Sequence, residues 1–164
     1  MTGRIFTSEH RVFDLPEPLS WSVTHTGTVP CDSYSITCLY DKSMAEALHL
    51  AAGFAAMEDG VTMLRGIVDE YTIDLGTEGL TATVTGRGYA ARLLDNEALG
   101  QDYQVATLAD ILRDHVTPYG ISVATQVDMA PVSEFSVAVG SSEWSVLYDF
   151  VRYYHSIPPR FDRE

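Results

Sequence analysis

Hydrophobic and polar residues alternate over three stretches in the first half of the chain. The stretches are residues 33–40 (SYSITCLY), 70–75 (EYTIDL) and 80–85 (LTATVT). A period of two with β-branched residues is typical of half-buried antiparallel strands, because successive side chains point to opposite faces. We predict a strand at each stretch, with residues 76–79 (GTEG) forming a tight hairpin between the last two.

Neighbouring segments predict a further strand, a further turn and a short helix. Residues 21–26 suit an earlier strand, and the pair Asp59-Gly60 is typical of a hairpin turn. The segment 43–54 is ambiguous, because it begins with a capping box (SMAE) and continues with alanines that suit a helix or a strand. We favour a short helix, followed by the strand that leads to Asp59.

The period changes to that of a helix in the second half of the chain. Helices are predicted at residues 89–97, 107–116 and 144–151, and short strands at 121–125 and 135–139. Thr107 and either Ser141 or Ser142 are the cap candidates. The fold class is therefore α+β, with an antiparallel β-barrel-like domain at residues 1–100 and a small α/β domain at residues 101–164.

Composition and charge exclude several classes of protein. The 164 residues include 23 acidic and 10 basic side chains, a net charge of −13. This acidity argues against a surface that binds nucleic acid or anionic lipid, since such surfaces need clustered Lys and Arg. No apolar stretch approaches the ~20 residues of a membrane span, and the first residues lack the apolar core of a signal peptide. We expect no membrane insertion.

The segment Gly86–Ala91 matches the G-x-G-x-x-A pattern of dinucleotide-binding turns. In such proteins the pattern joins a strand to a helix whose N-terminus holds the pyrophosphate. The pattern belongs to parallel βαβ units, whereas the strands before Gly86 are joined by short turns and are therefore antiparallel. Glycines that permit tight packing at a strand-to-helix corner explain the segment better, and a nucleotide-binding enzyme is kept as the alternative function.

The remaining candidate residues favour structural roles. No two histidines have the spacing of a zinc site, and the two cysteines form neither a disulfide framework nor a metal quartet. The residues concerned are His10, His25, His49, His115, His155, Cys31 and Cys38. We expect His115 to complement the dipole at the end of its helix and Cys38 to be a buried, inert thiol.

Two further groups of residues are candidate sites. Asp95 and Glu97 are close enough in sequence to suggest a glycosidase pair, and hence a cell-wall hydrolase. Carboxylates at the end of a helix mostly face solvent. The tyrosines together with Trp21 and Trp144 suggest a platform for sugars or bases, although the helical spacing of Trp144 with Leu147 and Tyr148 indicates a core residue. We therefore expect no catalytic, cofactor-binding or metal-binding residue.

In order and spacing, the sequence resembles the phage baseplate hub proteins, the late control protein D family, which is related to the hub part of type VI secretion spike proteins. No single motif carries this resemblance, which depends on an ordered series of segments from about Leu19 onward. The segments are residues 30–37 (PCDSYSIT), 57–71 (MEDGVTMLRGIVDEY), 84–98 (VTGRGYAARLLDNEA), 103–120 (YQVATLADILRDHVTPYG) and 140–164 (GSSEWSVLYDFVRYYHSIPPRFDRE).

The resemblance implies a structural role at the tail tip of a phage or prophage. Such hubs carry two barrels with a small α/β domain inserted, and three chains form a ring that joins the tail tube to the spike around a central channel. It implies no catalytic residues, no cofactor, a homotrimer, and tube, spike and baseplate proteins as partners. DNA is expected only as a passenger, and the expected locations are the virion tail and, during assembly, the bacterial cytoplasm.

Family members continue past residues 160–164 into a second barrel. We therefore expect that the chain is truncated relative to the family, with its α/β domain incomplete, or that the rest is encoded separately.

Overall fold

The computed structural model describes residues 1–27, 30–77, 79–123, 128–155 and 158–161. Its contacts divide the chain into two compact units, Met1–Tyr89 and Ala90–Phe161. The first unit is mostly antiparallel sheet and the second contains most of the helices, so the α+β fold class is confirmed. The assignment of residues 1–100 and 101–164 to a hub domain and a truncated domain stays a prediction.

The first unit is built on one curled, open sheet. Its described strands are β1 (Thr2–Thr7), β2 (Val12–Asp14), β3 (Pro18–Thr24), β4 (Ser33–Leu39), β5 (Ala51–Glu58), β6 (Val61–Gly76) and β7 (Gly79–Gly88). Their order across the sheet is β2-β1-β5-β6-β7-β4-β3, and every neighbouring pair is antiparallel. In the described residues β2 and β3 are the two end strands of this sheet.

The hairpins form where the sequence predicts them. Gly76 pairs with Gly79 between β6 and β7. Asp59 and Gly60 join β5 to β6 with φ angles of 50° and 80°, the left-handed conformation that two-residue hairpin turns favour. The strand predicted at residues 70–75 is the far half of β6, which is 16 residues long.

The sheet curls around an apolar core. A Cβ atom on Gly3 of β1 would lie 2.8 Å from Ile36 Cδ1 of β4 and 3.1 Å from the Phe54 ring, so strands that are distant in the sheet order approach each other face to face. The rings of Tyr34 and Phe54 stack with centroids 3.9 Å apart. This interior gives the unit its barrel-like character.

The ambiguous segment contains a short helix and then a strand, as predicted. A 3₁₀ turn at Lys42–Met44 leads into α1 (Ala45–His49), and β5 follows at Ala51. The capping residue differs from the prediction: the Asp41 side chain accepts a hydrogen bond from the Ser43 backbone N–H. Met44 and Leu48 then cover part of the core.

In its described residues, the second unit combines three α-helices with a short two-stranded antiparallel sheet. Its elements are α2 (Ala91–Asp95), β8 (Gln101–Tyr103), α3 (Leu108–His115), β9 (Phe135–Val137) and α4 (Glu143–His155). Thr107 caps α3 in a capping box with Asp110, as predicted. The Ser142 hydroxyl accepts a hydrogen bond from Ser145 N–H at the start of α4.

Two predicted elements of the second unit are shorter than expected. The helix predicted at residues 89–97 is limited to α2, and the strand predicted at 135–139 ends at Val137. Residues 121–123 are not in a strand, and the rest of the strand predicted there lies outside the described residues. The helices in the described part of the chain are too short or too polar to cross a membrane.

Candidate interaction surface

The glycines of the Gly86–Ala91 segment lie inside the sheet rather than at a nucleotide-binding turn. Gly86 and Gly88 belong to β7, and α2 begins only at Ala91 and has five residues. A Cβ atom on Gly86 would overlap the Ile67 carbonyl and lie 2.8 Å from the Tyr34 ring. The absence of a side chain at Gly86 leaves room for the Tyr34 ring. Because β7 is antiparallel to both of its neighbours, it is not part of the parallel βαβ unit in which dinucleotide-binding turns occur.

The paired carboxylates do not form a buried acid and base. Asp95 ends α2, Glu97 forms an isolated bridge with Ser142, and both residues are exposed. A glycosidase general acid requires a protected setting that keeps it protonated at neutral pH. The hydrolase hypothesis therefore gains no support from their positions.

His115 lies in a buried polar network, which the sequence did not predict. It ends α3, as expected, but its Nδ1 is 2.6 Å from Glu143 Oε2 on α4, with side-chain exposures of 4% and 7%. Its Nε2 is 3.1 Å from the Tyr103 hydroxyl, which donates to Asp114. Tyr119 donates a hydrogen bond to the other Glu143 oxygen. The network joins α3, α4 and strand β8.

The tyrosines of this network are held in their neutral form. The bond from the Tyr119 hydroxyl to the Glu143 carboxylate raises the pKa of Tyr119 to about 12. Desolvation, followed by the hydrogen bond to Asp114, raises the pKa of Tyr103. Every polar group named here has a partner inside the unit, and the network ties the helices α3 and α4 to strand β8.

The other candidate residues are spread over the molecule. His25 Nδ1 is 2.5 Å from Asp32 Oδ2 and links the end of β3 to the start of β4. His10 and His49 are exposed, and the side chain of His155 lies outside the described residues. Across the described residues, no cluster of three or more His, Cys, Asp or Glu residues suits a metal ion.

The cysteines and tryptophans also have distinct environments. Cys38 is buried, as predicted, and burial raises the pKa of its thiol, whereas Cys31 is half-buried. Trp144 packs against Tyr148 and Phe161 at the margin of the second core. The ring of Trp21, in contrast, is 45% exposed on β3.

An exposed apolar surface lies on the inner face of β6 and at the tip of the β6–β7 hairpin. Residues directly opposite each other in an antiparallel pair share a face, and the pairs Tyr71–Val84, Ile73–Ala82 and Leu75–Leu80 therefore share the inner face of the sheet. Val84 and Ala82 are fully buried by the core. We call the other four residues the open end; they are Tyr71, Ile73, Leu75 and Leu80, with exposures of 37%, 41%, 81% and 46%.

The outer face of the same hairpin is polar and acidic. Glu70, Thr72 and Asp74 alternate with the apolar residues of β6 and are exposed. Asp69, beside them, forms a bidentate ion pair with Arg87 of β7. The far half of β6 therefore presents an apolar inner face and an acidic outer face to solvent. The strand pattern could have indicated these faces, but it carries no signal that the described residues leave the inner face exposed here.

Comparison with known proteins matches the fold to two tail proteins. No protein-family model and no curated protein sequence matches the chain. A tail protein from Neisseria meningitidis MC58 matches with a TM-score of 0.68 and 14% identity, over 92% of this chain and 45% of that one. The 43 kDa tail protein of prophage MuSo2 from Shewanella oneidensis matches with a TM-score of 0.71 and 16% identity, over 94% of this chain and 49% of that one.

These matches concern the fold, since both identities are low. The chain adopts a fold that occurs in both tail proteins and spans slightly less than half of the length of each. The likeness includes nearly the whole of this chain, so the sheet unit and the helical unit both contribute to it.

Proposed function

We propose that the protein is a structural component of a phage or prophage tail. The observation that carries the proposal is the match of more than nine-tenths of the chain to two solved tail proteins. The ordered resemblance of the sequence to baseplate hub proteins supports the same role independently. A component of an assembly also needs surfaces that remain uncovered in the isolated chain, and the open end is such a surface.

The finer proposal is a baseplate hub module at the tail tip. In this role the first unit is the barrel domain of the hub, three copies surround a channel, and the partners are the tube, spike and other baseplate proteins. The acidic surface has a use in this setting, because like charge keeps passing DNA from binding the channel wall. The proposed role is non-catalytic and requires no cofactor.

Label-directed electron microscopy of the parent particle tests this proposal. An epitope inserted at the exposed Asp59-Gly60 turn would mark the first unit without entering its core. We expect antibody density at the tail tip, with untagged particles as the control. Density along the tube or on the capsid would contradict the hub position, and loss of the protein from purified particles would contradict the tail role itself.

The same particles test the arrangement of copies. A threefold reconstruction of the tail tip should show three copies with acidic side chains facing the channel. Six copies would contradict the trimer, and a channel wall poor in Asp and Glu would contradict the proposed use of the charge. A thermal-shift assay with NAD and ATP tests the nucleotide alternative, since ligands that bind the native state raise its stability. We expect no shift.

A further inference from the structure

The far half of β6 is a free sheet edge. Strand β5 pairs with β6 only from Val61 to Ile67, whereas β7 pairs with it as far as Gly76. Within the described residues, the segment 69–76 therefore has a neighbouring strand on one side only. Free edges can accept another strand, and natural proteins protect them with charged side chains, Pro, a β-bulge or a covering element. Residues 69–76 contain neither Lys nor Pro, their bulge lies at the start of the segment, between Val68 and Glu70, and their charges are all negative.

The backbone directions show which residues face this edge. The Leu80 carbonyl accepts a hydrogen bond from Tyr40 N–H at 2.9 Å, so the backbone groups of Leu80 point away from β6. Leu75 lies opposite Leu80, and in an antiparallel ladder the backbone groups of such a pair both point outward. By the alternation along a strand, Tyr71, Ile73 and Leu75 direct their N–H and C=O groups at the free edge.

A side-chain contact supports the same assignment. The Thr81 hydroxyl lies 3.4 Å from the Asp74 carbonyl, as expected if the backbone groups of Asp74 face β7. The residues that offer hydrogen bonds at the edge are therefore the apolar residues of the open end. Glu70 and Asp74 place negative charge on the opposite face of the same strand. An added strand would meet apolar side chains on one face and carboxylates on the other.

We propose that residues 70–76 of β6 bind an extended segment of a partner protein, which adds to the sheet as a further strand. The chemistry of the edge calls for a segment that alternates apolar residues with Lys or Arg. Main-chain hydrogen bonds would hold such a segment, and its side chains would match the two faces.

Charge disfavours a second copy of this chain as a two-fold partner at the edge. Antiparallel pairing of two β6 edges would bring the acidic outer faces of both copies side by side, and in the register centred on Thr72 it would place Glu70 of each copy opposite Asp74 of the other. Like charges directly opposite each other destabilise a sheet. A basic segment would be attracted by the same carboxylates, so the occupant that we infer is a different, basic polypeptide.

Amide hydrogen exchange of the isotopically labelled protein tests the edge itself. We expect the amides of Tyr71, Ile73 and Leu75 to exchange rapidly and those of Thr72 and Asp74 to be protected by the ladder with β7. Protection of all five amides in a monomeric sample would overturn the free edge. The same protection in a self-associated sample would overturn the choice of a different protein as partner.

A titration with a synthetic peptide tests the partner chemistry. The probe is Lys-Ile-Arg-Val-Lys-Ile-Arg, with the same peptide carrying Glu in place of Lys and Arg as control. We expect the basic peptide to slow exchange at Tyr71, Ile73 and Leu75 and to shift their amide resonances, and the acidic peptide to bind at least about tenfold more weakly. Equal binding of the two peptides, or shifts located elsewhere, would overturn the proposal.

Paired charge variants locate the electrostatic part of the binding. The double variant Glu70→Gln with Asp74→Asn should weaken binding of the basic peptide about fivefold. The control variant, Glu58→Gln with Asp59→Asn, removes the same charge at the turn between β5 and β6, far from the edge. It should leave the affinity unchanged. Equal losses of affinity in the two double variants would show that only the net charge of the protein matters, and would overturn the site. Peptide binding is independent of the tail role, so its failure would leave the particle experiment untouched.

Discussion

Two parts of the inner face of the same sheet have similar sequence patterns and opposite environments. One part, which we call the covered end, includes Ile36, Cys38 and Phe54, which are fully buried beneath the curled sheet and α1. At the open end, Ile73 and Leu75 continue an inner face of the same alternating character and are exposed to solvent. The difference shows that alternation determines which face a residue occupies, whereas burial depends on what the rest of the chain places over that face.

The comparison also separates two uses of apolar residues. Those of the covered end contribute to the stability of the unit, because their removal would leave a cavity. Those of the open end contribute little to the stability of the isolated chain and, in our proposal, serve contacts with a partner. Each of the following experiments would sharpen or break this distinction.

The largest expected effect is a loss of stability at the covered end. The change Phe54→Ala removes a fully buried ring that stacks on Tyr34 and should lower the free energy of unfolding by about 3–5 kcal/mol. Leu75→Ala is the control and should change it by less than about 0.5 kcal/mol, as exposed substitutions do. Urea denaturation measures both, and similar losses would contradict the distinction.

A second effect is a difference in thiol reactivity along one row of the sheet. Ile73, Ala82 and Cys38 lie side by side on the inner face. Burial raises the pKa of the Cys38 thiol, so less of the reactive thiolate is present at a given pH. The reagent can also reach Cys38 only when the sheet opens. In a Cys31→Ser background, Cys38 should react with a disulfide reagent at pH 8 at least about a hundredfold more slowly than the thiol introduced by Ile73→Cys.

The rates should also respond differently to pH. The introduced thiol should react faster as pH rises through the ordinary range of a cysteine pKa, near about 8.5. The Cys38 rate should stay low over that range, because its pKa is raised. Equal rates for the two thiols would indicate that solvent reaches the covered end.

Much of this fold was predictable from residue patterns. The alternation in β4 and β7, the hairpins at Asp59-Gly60 and at Gly76, and the Thr107 cap follow from local chemistry, and the structure confirms them. Local rules suffice there because a turn or a cap involves residues a few positions apart.

The features that the sequence did not predict depend on distant residues. His115 and Glu143 meet only because α3 and α4 pack together, so no local spacing signals their contact. Gly86 matched a nucleotide-binding pattern, whereas its actual role depends on the Tyr34 ring from a neighbouring strand. The open end was predicted as strand, but its exposure among the described residues depends on how distant segments of the unit are placed.

A third effect distinguishes glycines at the two ends. The change Gly86→Ala places a methyl group against the Ile67 carbonyl and the Tyr34 ring and should lower the free energy of unfolding by about 1–3 kcal/mol. The control Gly76→Ala meets nothing within 4 Å and should be nearly neutral. Thermal and urea unfolding of both variants measure the difference. Two equally mild variants would mean that the covered end adjusts easily, which the close packing of its interior argues against.

The smallest expected effect on stability is the most informative about the open end. The change Ile73→Thr keeps a β-branched side chain in a strand, and it replaces an apolar group that is 41% exposed. We expect the free energy of unfolding to fall by no more than about 0.5–1 kcal/mol. Incorporation into tail particles should nevertheless fall strongly, whereas Thr72→Ser on the outer face should leave it unchanged. A variant that unfolds readily would show that Ile73 belongs to the core. A stable variant that assembles normally would show that the open end is not an assembly contact, because the loss of an apolar side chain there would then affect neither the fold nor the particle.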